Sequence, residues 1–131
     1  MTLYSHDYDT TYPHGPALPV VAITVQAIST SSDGVGLTIL VDSGADATIL
    51  PKRILQRSGA DVVGRAQMRW GTHHSASYDV YLVKIVIGSH VIQGVRTLAD
   101  PTNQEAVLGR DVLNQLIVTL NGLAGVVEIS E

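Results

Sequence analysis

The chain has 131 residues, no cysteine and a formal net charge of −4. That length makes one domain, able to bury a core but too short for two catalytic lobes, and the missing cysteines exclude disulfides, thiolate metal sites and cysteine nucleophiles. The acidic balance leaves no basic stripe to neutralise phosphates, so neither nucleic acid nor a membrane surface is an expected partner, and the aliphatic residues that dominate the 45% hydrophobic share, Val and Ile among them, favour pleated, half-buried surfaces.

Residues 1–19 carry Pro13, Pro16 and Pro19 among Asp, Thr, His and Gly without an apolar period, and read as an extended N-terminal arm, a tether or a dimer-wrapping segment. The start lacks the basic and apolar regions of a signal peptide. No run approaches the roughly 18 apolar residues of a membrane-spanning helix, so a cytoplasmic protein or an excised domain is expected. From Val20 the pattern alternates, with Val21, Ile23, Val25 and Ala27 on one side and Thr24 and Gln26 on the other, as in a half-buried strand. A polar turn with Asp33-Gly34 follows, and a second strand, Val35 to Val41, completes a hairpin that delivers Asp42.

Ala47 to Leu50 is apolar again, and Pro51 to Gly59, with proline at its start and glycine at its end, suits a short helical turn. Gln67–Trp70 and Tyr78–Ile87 read as strands flanking the small, polar segment Gly71–Ser77, a candidate mobile hairpin; Val91–Leu98 reads as a third strand. Ala99 to Glu105 reads as a loop and Ala106–Gly109 as a short strand closed by glycine. A helix over Arg110–Leu116 places Val112, Leu113 and Leu116 on one face. Asn121-Gly122 then marks a terminal hairpin within Ile117–Ile129. The adjacent His73 and His74 do not make a metal site, because neighbours on a strand point to opposite faces and no third ligand accompanies them.

Two segments carry chemistry. Leu40-Val41-Asp42-Ser43-Gly44-Ala45-Asp46-Ala47-Thr48-Ile49-Leu50 resembles the active-site loop of the retropepsins, the retroviral-type aspartic proteases. About 65 residues downstream, Val107-Leu108-Gly109-Arg110-Asp111-Val112-Leu113 resembles the same family's second signature, two aliphatics, Gly and Arg, then Asp or Asn, opening its C-terminal helix.

Amide hydrolysis without a covalent intermediate needs a base to take a proton from water and an acid to protonate the carbonyl oxygen, and two carboxylates sharing one proton supply both. The chain has a single Asp-Ser-Gly, so the resemblance implies that Asp42 pairs with its twofold mate across a homodimer. It further implies that Ser43 hydrogen-bonds across the dimer axis, that Gly44 lets the substrate backbone approach, and that Asp46 meets substrate through its backbone while its carboxylate pairs with Arg110. Ala45 stands where pepsin-like enzymes usually place a hydroxyl donor; a methyl cannot donate to the carboxylates, which predicts a mildly rather than strongly acidic optimum. Trp70-Gly71-Thr72 resembles the aromatic-Gly-Thr at the tip of pepsin-type flaps, which would contact substrate; in the alternative reading Trp70 packs against the barrel.

The resulting expectation is an all-β, closed acid-protease barrel with one short C-terminal helix, residues 20–131 forming a single retropepsin-like domain. It would act as a homodimeric aspartic endopeptidase on an extended peptide or protein substrate, with no metal and no cofactor. The alternative is a catalytically weak retropepsin-like module for dimerisation or peptide binding.

Overall fold

Ten strands and two short helices account for the regular structure of the computed structural model, which describes residues 3–29, 33–70 and 74–131. The fold is mostly β. Strand β1 (Tyr4–Asp7) lies in the N-terminal arm, β2 (Val20–Ala27) and β3 (Val35–Val41) form the first long hairpin, and β4 (Ile49–Pro51) leads into α1 (Lys52–Arg57). Strands β5 (Asp61–Trp70), β6 (His74–Ile87) and β7 (His90–Asp100) follow, then β8 (Val107–Leu108), α2 (Arg110–Leu113), β9 (Ile117–Asn121) and β10 (Val126–Ser130).

Seven strands make the larger sheet in the order β2-β3-β8-β4-β7-β6-β5, and β2 pairs β6 as well as β3. The alternation read in β2 is its packing: Val21, Ile23, Val25 and Ala27 are buried, and Ile39 and Val41 of β3 join them. The core continues through Leu50, Leu55, Val83, Ile85, Ile87, Leu108 and Val112, all fully buried. Burying an aliphatic side chain of this size contributes about 1.5–3 kcal/mol, which makes this cluster the main stabilising term. Two parallel pairings, β3 with β8 and β4 with β7, bring segments far apart in sequence side by side.

The smaller sheet runs β1-β10-β9. The arm therefore contributes a strand: Tyr4 to Asp7 pair with Ile129 to Val126, and an isolated bridge joins Asp9 to Leu18. Tyr4 and Tyr8 pack against the main core, so the arm covers its own chain.

Four expectations change in detail. The single expected helix is one of two, because the Pro51–Gly59 turn closes into the six-residue α1, burying Ile54 and Leu55. The second helix is shorter than expected: after Leu113 it tightens, with Gln115 N–H donating to Val112 O at 3.0 Å and Leu116 N–H to Leu113 O at 3.1 Å. The β5–β6 hairpin is longer, pairing continuously from Gly64↔Val80 to Trp70↔His74, because ladder hydrogen bonds carry the polar residues Ser75 and Ser77 that have no apolar period to announce them. The Asn121-Gly122 signal does mark the last hairpin, but Asn121 pairs with Val126 and its Oδ1 accepts the Ala124 N–H at 3.1 Å, so the connection has four residues, not two. Among the described residues no helix is long and apolar enough to cross a membrane.

Candidate active site

Asp42 sits where β3 ends, and its position is set by backbone bonds from two directions. The Val41 N–H donates to Pro19 O at 2.9 Å, and the Asp42 N–H donates to Leu108 O at 3.0 Å, extending the parallel β3–β8 pairing by one step. The chain then turns: Ala45 N–H donates to Asp42 O at 3.1 Å, and the Gly44 N–H reaches Asp42 Oδ1 at 2.9 Å. A side chain at Gly44 would bring a Cβ to 3.1 Å of that same carboxylate oxygen, so glycine leaves the acid room. Asp42 is half-buried, while Ser43, Gly44 and Asp46 are exposed.

Arg110, 67 residues beyond Ser43, clamps the turn from the start of α2. Its backbone N–H donates to Ala45 O at 2.9 Å and its Nη1 to Ser43 O at 2.7 Å, while Nη2 donates to Asp46 Oδ1. Asp46 is largely exposed, so water screens the charge pair and its share of the stability is small, about 0–1 kcal/mol. The guanidinium fork does more as a positioning device, holding two points of one loop in a fixed relation.

Beneath this clamp lies a buried lock that the sequence reading did not single out. Thr48 is fully buried; its Oγ1 donates to Asp111 Oδ1 at 2.8 Å and accepts the Gly109 N–H at 3.1 Å. The Thr48 N–H donates to both Asp111 oxygens at 3.1 Å, and Asp111 Oδ1 also accepts the Val112 N–H at 2.9 Å. Gly109 passes so close that a Cβ there would lie 2.5 Å from the Ala47 carbonyl carbon. The available signal was one hydroxyl inside the apolar run Ala47–Leu50, which a buried position tolerates when both its donor and acceptor functions are used.

The Asp42 turn faces the β5–β6 hairpin across a cleft of about 680 Å³, lined by Gly44, Ala45, Asp46 and Ala47 on one side and by Gln67, Met68 and Arg69 of β5 on the other. A neighbouring hollow of about 430 Å³ shares Met68 and reaches the loop after β7. Trp70 ends β5 at the far tip of the hairpin; Gly71 and Thr72, expected to contact substrate, lie outside the described residues, as does His73. Among the described residues no group of three or more His, Cys, Asp or Glu could hold a metal ion.

The family described as "gag-polyprotein putative aspartyl protease" matches residues 28–115, a span that contains both the Asp42 turn and the Gly109-Arg110 segment. Among solved structures, a retropepsin-like aspartic protease from Rickettsia conorii is similar with a TM-score of 0.66 and 15% identity, over 98% of this chain and 91% of that one. The EIAV protease complexed with the inhibitor HBY-793 is similar with a TM-score of 0.54 and 20% identity, over 80% of this chain and 92% of that one. No curated protein matches the chain.

Proposed function

The chain belongs to the retropepsin-like, gag-polyprotein-type aspartyl protease family, and from that premise we propose that it is an aspartic endopeptidase whose catalytic pair is Asp42 and the Asp42 of a second copy. The observation that carries this reading is the convergence of the two distant signatures on one loop. Leu108 O holds the Asp42 backbone, and Arg110 ties Ser43 and Asp46 into a turn that presents a half-buried carboxylate beside a peptide-sized cleft.

In the proposed reaction one carboxylate of the pair takes a proton from water as the oxygen attacks the scissile carbonyl, and the protonated partner gives its proton to the carbonyl oxygen. Proton transfer to the leaving nitrogen then breaks the C–N bond. Gly44 and Asp46 offer the extended substrate backbone a place along the turn, and the β5–β6 hairpin acts as a flap that shields the pair from bulk water. The pairing of β2 with both β3 and β6 supports reading the larger sheet as a closed barrel.

The second copy is proposed to dock along β9. Among the described residues β9 pairs with β10 alone, its Ile117 and Leu120 are about half exposed, Leu123 beyond it is fully exposed, and no charge occurs from Val112 to Val127. Edge strands that face water usually carry charge or proline to prevent pairing, and this one carries neither. Antiparallel addition of β9 to its copy obeys a twofold axis and continues the β1-β10-β9 sheet.

Sedimentation velocity combined with cleavage of a mixed peptide library at mildly acidic pH tests the reading. The wild type is expected to be a dimer that cleaves peptides, and Asp42→Asn a dimer that does not. A dimeric wild type as inert as Asp42→Asn overturns the endopeptidase in favour of a peptide-binding module, and an active monomer overturns the shared pair.

A further inference from the structure

The 430 Å³ hollow next to the Asp42 cleft has an apolar floor of Ile49, Met68 and Tyr78 and an acidic wall formed by the loop after β7. That wall is preformed. Asp100 is 5% exposed, and its carboxylate accepts the Thr102 N–H at 2.9 Å, the Thr102 hydroxyl at 2.8 Å, the Gln104 N–H at 3.0 Å and the Glu105 N–H at 2.8 Å. Asn103, in the left-handed region at φ 60°, turns its Oδ1 outward to accept the Arg53 N–H at 2.9 Å, tying the loop to α1.

Asp100 thus spends its lone pairs on its own loop, and Glu105 does not. The Glu105 backbone is fixed by Asp100, its side chain is exposed at the rim of the hollow, and among the described residues its carboxylate has no ion-pair partner. The described ion pairs of Lys52, Arg65 and Arg110 engage Asp79 and Asp46 as their acids, and Glu131 lies 3.4 Å from His90.

From this we infer that Glu105 makes the hollow a subsite for a lysine or arginine side chain of the substrate. The aliphatic stem lies along Ile49, Met68 and Tyr78 while the cationic head meets Glu105, an arrangement that suits a side chain with an apolar body and a charged tip. A purely apolar side chain fills the same floor but leaves the rim carboxylate without a partner. Because Glu105 is solvated, the preference is modest, roughly three- to fivefold for lysine over norleucine. This inference rests on the peptidase reading of the Asp42 cleft.

The test scans lysine, norleucine and glutamate through each position of cleaved library peptides at about pH 6. The wild type is expected to prefer lysine at one position, Glu105→Gln to lose that preference so that its lysine-to-norleucine cleavage ratio falls to about one, and Glu105→Lys to prefer glutamate there. No positional preference in the wild type, or one that survives in Glu105→Gln, overturns the inference. A wild type that cleaves nothing sinks the peptidase reading. The subsite is then judged by binding of reduced-amide hexapeptides differing in lysine against norleucine: tighter lysine binding that Glu105→Gln abolishes upholds it, and equal binding overturns it.

Discussion

The hydroxyl of fully buried Thr48 donates to half-buried Asp111 at 2.8 Å, joining the residue that leads into β4 to the helix that carries Arg110. Removing the hydroxyl but keeping the shape, as in Thr48→Val, leaves the Gly109 N–H without an acceptor and Asp111 short of a donor. An unsatisfied buried group costs about 1–3 kcal/mol, so urea unfolding is expected to show a loss in that range. Thr48→Ser, which keeps the hydroxyl, is expected to lose less.

Gly109 faces a steric limit of a different kind. Gly109→Ala places a methyl 2.5 Å from the Ala47 carbonyl carbon and 2.6 Å from its oxygen, and these are backbone atoms that cannot rotate away. The expected cost is about 2–3 kcal/mol, typical of overpacking, together with a marked fall in peptide cleavage as the loop shifts. Gly122→Ala, where a Cβ meets nothing within 4 Å, is the control and is expected to melt within a few degrees of the wild type.

Arg110→Lys separates charge from geometry. A lysine keeps the attraction to Asp46 but cannot span both Ser43 O and Asp46 with one planar fork. Global stability is expected to change by less than about 1 kcal/mol because the pair is solvated. Cleavage efficiency is expected to drop on the order of tenfold, since a small misplacement of a reacting group is costly. An unchanged kcat/KM would remove the positioning role assigned to Arg110.

Asp100 links the cleft wall to pH. Burial pushes its carboxyl up, but the hydrogen bonds from the Thr102 hydroxyl and from the Glu105, Thr102 and Gln104 N–H groups outweigh it and hold the group below the ordinary carboxylate range. A carboxylate whose folded value is depressed contributes stability that is fully present above its unfolded value, about 3.9, and lost as pH falls through the folded value. Asp100→Asn is therefore expected to be less stable than the wild type by roughly 1–3 kcal/mol at pH 7 and pH 5. The gap is expected to close below about pH 4. Denaturant titrations at pH 7, 5 and 3.5 measure it, and a gap that stays constant to pH 3.5 would count against the carboxylate's role.

Much of this protein was legible in one dimension. Alternation in β2, the hairpin turn that leads into β3, the Pro51 to Gly59 punctuation and the spaced signatures at Asp42 and Gly109 each depend on local rules of period, turn chemistry and short-range hydrogen bonding, which act between residues near in sequence. The Asp42 turn itself is such an object, closed by Gly44 and Ala45 bonding back to Asp42. What no local rule reaches is which distant segments meet. The parallel pairing of β3 with β8 and the burial of Thr48 against Asp111, 63 residues away, exist because the chain folds both segments around one core, and so do the arm's strand on β10 and the loop that Asp100 gathers beside Met68 and Tyr78. The residue types at Asp42, Arg110 and Glu105 state what chemistry is available; tertiary packing decides which of those groups share a site, because burial and long-range hydrogen bonds depend on distance in space, not on distance along the chain.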